Sequence, residues 1–288
     1  MWKVGTYVTR KSYGNDMIFR IESINQEMAI LRGVDYRLMA DAPLEDLSEA
    51  EEPLHSDKSE VPDMQKRECQ KIIEETKRRY MPFFRSAGTP EDKETFSYFE
   101  VPGKVLHLDG DPAYLRKSMD LYKHYQVPAE GHYVQESSMA DLLYRLLPES
   151  RPDIVVITGH DGIFKDSRGE NLYHLSSYKN SRHFVRAIRA CREYERNRDV
   201  LTIVAGACQS HFEALLKAGA NFASSPARIL IHALDPVQVA ARISYTSIKE
   251  TITMMDVFDK TVSGVKGIGG IESKGSYRVG IPNFKHMQ

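Results

Sequence analysis

Two uninterrupted apolar runs constrain this chain most: Asp153-Ile-Val-Val-Ile-Thr-Gly-His160 and Leu201-Thr-Ile-Val-Ala-Gly-Ala-Cys208. Each is rich in β-branched residues and lacks polar alternation, the pattern of a strand buried on both faces. Such strands belong to parallel sheets covered by helices, and the residues just beyond them emerge at the carboxyl edge, where open α/β sheets place their sites. One run delivers an imidazole to that edge and the other a thiol, the minimum parts of a nucleophile and its base.

The flanking sequence repeats the strand-helix rhythm. Val105-Leu-His-Leu108 reads as a strand, and Leu115, Met119 and Tyr122 recur at helical spacing after it. Val127 to Val134 supplies a second strand, and Met139, Leu142, Leu143, Leu146 and Leu147 mark one apolar helix stripe. The His160 strand is third. A helix from Asn180 or Ser181 follows, with Phe184, Ile188 and Cys191 on one side, then the Cys208 strand and a helix through Phe212, Leu215 and Leu216 that Gly219 terminates. Ala227 to Ala233 reads as a further strand, Asp235-Pro236 as an N-cap and first helical residue, and the glycine-rich Gly264 to Gly270 as surface turns. The expected architecture is α/β, a mainly parallel sheet with helices on both faces, caspase-like or flavodoxin-like.

Before this core, residues Val4 to about Leu44 carry short apolar stretches, Tyr36-Arg37-Leu38 among them, separated by turn residues; this predicts four or five antiparallel strands in a small SH3-like β-barrel. Glu45 to Glu60 is acidic and reads as a solvated linker, Met64 to Tyr80 as a basic surface helix, and Pro82 to Ser97 as loop. The predicted organisation is a barrel over 1–45, linker, helix and loop over 46–98, and an α/β domain over 99–288. A chain of 288 residues with 41% hydrophobic content has room for these parts.

A net charge of −1 gives no global attraction for nucleic acid or an acidic membrane. The first residues lack a signal-peptide pattern, and no apolar run approaches the roughly 18 residues that would cross a bilayer. A soluble chain, cytoplasmic at synthesis, is expected. Cys69, Cys191 and Cys208 are odd in number and far apart, which argues against a disulfide framework and points to a reducing compartment. His211-Phe-Glu213 matches the H-x-E of zinc deaminases, but no P-C-x-x-C follows; His174 and His183 have no partners at ligand spacing, so no metal is expected.

His160 and Cys208 lie 48 residues apart, enough for a loop, a helix and a strand, so they can end neighbouring strands. That spacing is near the caspase signature, which places a His about 50 residues upstream of the Cys. Cys208 stands where a strand is expected to turn into a helix, so its thiol pKa should be lowered by the helix amino end. The oxyanion donors expected are the Cys208 N–H and one from Asp161 or Gly162. Asp109 and Asp111 leave the first strand toward the same cleft. Asp111 can cap the helix that begins at Pro112, and either carboxylate can receive an arginine or lysine side chain. His211 reads as a structural neighbour of the cysteine.

Several long motifs carry a resemblance to a known family: Lys11-Ser12-Tyr13, Pro102-Gly-Lys-Val-Leu-His-Leu-Asp-Gly-Asp111, Ile157-Thr-Gly-His-Asp161, Ala205-Gly-Ala-Cys-Gln-Ser-His-Phe-Glu213, Ala218-Gly-Ala-Asn-Phe-Ala-Ser-Ser-Pro226 and Ile231-His-Ala-Leu-Asp-Pro236. Together they resemble the sporulation-specific YabG peptidases of endospore-forming Firmicutes over nearly the whole chain. The resemblance implies a cysteine endopeptidase that cuts after arginine in spore coat and cortex-associated proteins, made in the mother cell and later found in the coat. It places the dyad on His160 and Cys208 and implies no cofactor. Two other readings of the residues stay open here: a glutaminase-type amidohydrolase or acyltransferase acting on a small molecule, and a non-enzymatic receiver-like module built on Asp109 and Asp111. The N-terminal barrel is either a docking module or a fixed lid.

Overall fold

The expected parallel core forms from β7 (Val105–Asp109), β8 (Ala129–Tyr133), β9 (Ile154–Thr158), β10 (Thr202–Ala205) and β11 (Phe222–Ser224) in a computed structural model. It describes residues 2–52, 71, 74, 75, 78, 99–164 and 172–280. The strand order is β13-β11-β10-β9-β7-β8, with β13 (Ile268–Gly270) antiparallel at one edge. All five residues of β9 and all four of β10 are buried, as their unbroken apolar sequences require.

Helices cover both faces. On one side, α1 (Pro112–His124) and α5 (Asp235–Tyr245) place Leu121, Tyr122, Val237, Ala240 and Ala241 against Val105, Val156 and Val204. On the other, α2 (Met139–Ser150), α3 (Ser181–Tyr194) and the short α4 (Phe212–Ala218) pack Leu143, Leu147, Phe184, Ile188 and Leu215 on Leu106, Val155, Ile157 and Ile203. Alternate side chains of each strand enter opposite layers, so both layers fix its register.

Before the core, β1 (Tyr7–Arg10), β2 (Phe19–Asn25), β3 (Met28–Gly33), β4 (Met39–Pro43) and β5 (Leu47–Glu49) form an antiparallel sheet in the order β4-β3-β2-β1-β5. Val8, Phe19, Ile21, Leu31 and Leu47 make its own small core. The sheet extends past residue 45 because β5 pairs with β1 through Leu47 to Glu49. Most of the acidic linker and of the expected basic helix, and the expected loop over 82–97, lie outside the described residues, as does Cys69.

Four local expectations are corrected. The Ala227 to Ala233 segment is not a strand: Ser225 and Arg228 take positive φ just before it, and it joins a pairing only through the single bridge Tyr36–His232. The strand that extends the sheet is Phe222–Ser224, three residues long and too short to show a period. The glycine-rich tail is not simply turns, because α7 (Gly264–Gly267) leads into β13, which pairs with β11. Asp235 is not the N-cap of α5; Leu234 takes that position, while the buried Asp235 carboxylate accepts the Val262 and Ser263 amides at 2.8 and 3.0 Å. Tyr36-Arg37-Leu38 is a loop between β3 and β4 rather than a strand.

Phe184 is wholly buried between α3 and the sheet. Phe184→Ala is expected to destabilise the chain by about 3–5 kcal/mol through lost transfer energy and the remaining cavity, read from the urea midpoint by circular dichroism.

Candidate active site

The register of two adjacent strands builds the site. In the parallel pair β9 and β10, Ala205 lies opposite Ile157, and the Gly206 amide donates to the Ile157 carbonyl at 2.9 Å. His160 and Cys208 are each three residues past this pair, in the loops that follow neighbouring strands spaced about 4.8 Å apart. The turn needs Gly206: its φ is +111°, and a Cβ there would lie 2.8 Å from Leu215 Cδ1 and 3.3 Å from the Ser224 amide nitrogen.

Asp161 ties the two loops together. Its half-buried carboxylate accepts the Gly162 and Asn180 amides at 2.9 and 2.8 Å, the Ser181 hydroxyl, and the Ser210 hydroxyl at 2.9 Å. Ser210 in turn accepts the Ala207 amide at 2.9 Å. Burial raises the Asp161 pKa against these bonds. The Gly162 N–H is therefore committed to Asp161, whereas the Cys208 and Asp161 amides donate no hydrogen bond among the described residues. Of the expected oxyanion donors, these two are the ones left available.

His160 is held through its backbone. Its amide donates to Glu136 at 2.8 Å and its carbonyl accepts Asn180 Nδ2 at 2.8 Å. Its ring lies 6.2 Å, centroid to centroid, from Tyr114, and Nε2 is 3.5 Å from an Asp111 carboxylate oxygen, beyond good hydrogen-bond geometry. No hydrogen bond joins His160 to Cys208 among the described residues. Burial lowers the His160 pKa and the nearby Asp111 charge partly restores it.

The sulfur of Cys208 sits under the loop around Ile231, whose amide donates to Sγ at 3.3 Å. Only 1% of the residue is exposed. Burial raises its pKa, opposed by the Ile231 contact and by the charge and backbone amide of Arg37. This corrects the expected depressed thiol pKa. Helix α4 starts only at Phe212, so residues 209–211 stand between the sulfur and the helix amino end. Both groups are thus neutral in this arrangement near pH 7, a thiol and an imidazole. His211 caps α4 and bonds the Tyr173 carbonyl at 3.0 Å, a structural role as expected.

Asp109 and Asp111 do hold guanidinium groups, and both come from the chain itself. Arg37 Nη1 donates to Asp109 at 2.7 Å with neither side chain exposed, and its Nε and Nη2 reach the Ala233 carbonyl at 3.3 Å. Asp109 also accepts the Thr158 hydroxyl at 3.0 Å and the Asp111 amide at 2.9 Å. Arg32 pairs with Asp111, which caps α1 through the Ala113 amide at 2.8 Å. Nothing in the sequence pairs residues 37 and 109; the only hint of Arg37 is a charge inside an otherwise apolar stretch. Among the described residues, no group of three His, Cys, Asp or Glu is arranged to hold a metal, and no helix is long and apolar enough to cross a membrane.

A family model described as YabG peptidase U57 matches residues 3–282. The chain belongs to the YabG peptidase family. It is also 42% identical over 293 residues to the sporulation-specific protease YabG of Bacillus subtilis (strain 168), an alignment covering 98% of each. The chain is therefore a peptidase, a hydrolase of peptide bonds.

The Asp109 carboxyl is pushed up by burial but held at about 2 by the Arg37 charge and the contacts with His107 and Arg37. A folded pKa below the ordinary 3.8 means stability that is present above pH 3.8 and lost as the pH falls through about 2. Asp109→Asn leaves Arg37 buried and unpaired, so about 3–5 kcal/mol is expected to be lost at pH 7. The gap to the parent chain should narrow in urea titrations repeated between pH 4 and 2.

Proposed function

We propose that this chain is a sporulation cysteine endopeptidase that cuts after arginine, with Cys208 as nucleophile and His160 as its base. The observation that carries the reading is the register of β9 and β10, which sets the residue three before Cys208 opposite the residue three before His160 on adjacent strands. The family supplies the reaction class. The order of His before Cys on a mainly parallel sheet fits a caspase-like arrangement, and the antiparallel sheet before it is read here as an SH3-like barrel.

In this mechanism His160 takes the Cys208 proton as the sulfur attacks the scissile carbonyl. The Cys208 and Asp161 amides, which donate no hydrogen bond among the described residues, hold the oxyanion. Asp111, 3.5 Å from His160 Nε2, stabilises the imidazolium that forms. His160 then protonates the leaving amine, and water hydrolyses the thioester. These steps need no metal or organic cofactor. A basic substrate side chain is read by Asp109 and Asp111, which already bind guanidinium groups.

The substrates in this reading are spore coat and cortex-associated proteins, met first in the mother-cell cytoplasm and later in the coat; the relative's description supports the sporulation role. Family membership disfavours a small-molecule amidohydrolase, and the filling of Asp109 and Asp111 by arginines disfavours a receiver-like phosphate site.

Cys208→Ala and His160→Ala are each expected to lower kcat on arginyl peptides by more than a thousandfold while keeping the parent circular dichroism spectrum. Full turnover by Cys208→Ala would overturn the assignment. On the intact enzyme, kcat/KM for arginyl peptides should exceed that for citrullinyl ones by at least a hundredfold, because citrulline keeps the shape and loses the charge.

A further inference from the structure

The Asp35-Tyr36-Arg37 loop pairs with the segment beside the sulfur in the manner of a bound peptide. Tyr36 bridges His232 in antiparallel pairing, and the Ala233 amide donates to the Asp35 carbonyl at 2.8 Å. That is strand addition to an exposed edge, a common way of holding an extended peptide. The edge used is 231–233, the same segment whose Ile231 amide touches Cys208 Sγ. Beside the sulfur, Arg37 sends its guanidinium down to the buried Asp109 carboxylate.

The loop then departs from a productive peptide. The Leu38 amide turns back to the Tyr36 carbonyl at 2.7 Å, and the Gly33 amide donates to the Leu38 carbonyl at 2.7 Å. The chain therefore reverses at Arg37 instead of crossing the cleft, and the Arg37–Leu38 bond is folded into a tight turn. The turn is clamped from α1: the Tyr114 hydroxyl donates to the Gly33 and Tyr36 carbonyls, and Lys117 Nζ to the Val34 carbonyl at 3.1 Å.

We infer that residues 35–37 of the N-terminal sheet are a built-in pseudosubstrate: Arg37 occupies the subsite for the arginine before the cut, its own bond is withheld, and a protein substrate enters by displacing this loop. The inference rests on Cys208 being the nucleophile. It gives two elements of the fold a role in recognition, since segment 231–233 becomes the edge that pairs with substrate backbone and Asp109 the carboxylate that reads its arginine. It also accounts for a peptidase whose candidate sulfur is 1% exposed.

The test uses the full chain and a blocked arginyl chloromethyl ketone, with hydrogen exchange read by mass spectrometry. Alkylation of Cys208 should be accompanied by at least a tenfold rise in amide exchange over residues 34–38 and at Ala233, because the label takes the place of Arg37. An adduct on Cys208 with exchange there unchanged would overturn the inference and leave the nucleophile assignment standing. An adduct elsewhere, together with turnover by Cys208→Ala, would bring both down. As an independent arm, Arg37→Ala should be alkylated at Cys208 and should cleave arginyl peptides at least tenfold faster than the parent chain. Equal or slower rates in a variant with the parent circular dichroism spectrum would also overturn it.

Discussion

A buried ion pair between Arg37 and Asp109 joins the N-terminal antiparallel sheet to the mainly parallel sheet of the core. Two charges with no exposed side-chain surface persist only if every hydrogen-bonding position is filled. Here the guanidinium has Asp109 and the Ala233 carbonyl, and the carboxylate has Arg37, Thr158 and the Asp111 amide. Removing either partner strands a charge in the interior. The pair therefore fixes where the N-terminal sheet sits, and with it what lies over Cys208.

The chemistry of the site follows from that burial. A thiol pressed under Ile231 and Arg37 is kept protonated by loss of solvent, and the neighbouring imidazole is kept neutral for the same reason. Nearby charges work in the other direction: Arg37 favours the thiolate and Asp111 favours the imidazolium. Displacing the Arg37 loop would weaken the first influence and also withdraw the Arg37 charge, leaving Asp111 as the group that favours a proton on His160. Exposure of the cleft and the protonation of its two groups are thus coupled in the proposed peptidase.

Strands β7, β9 and β10 of the central sheet were legible because they are buried on both faces, which leaves a run such as Ile154–Thr158 with no polar interruption. The helix stripes were legible for the same reason, and Gly219 ended α4 as its sequence suggested. What escaped were features governed by distant partners. Phe222–Ser224 is a strand because β10 and β13 flank it, and 227–233 is a loop because its backbone groups serve Gln209, Cys208 and Asp35. The positions of His160 and Cys208 could be read from their strands. The occupants of Asp109 and Asp111 could not, because Arg37 and Arg32 are 72 and 79 residues away in sequence.

Asp161 shows how little freedom the site has on the core side. One carboxylate grips the start of α3, the loop after β9 and the hydroxyl of Ser210 in the loop that carries Cys208. The imidazole and the sulfur are consequently mounted on a single cross-braced platform. Access to a macromolecule therefore falls to the other wall, the one that the N-terminal sheet builds over Cys208 through Asp35, Tyr36 and Arg37.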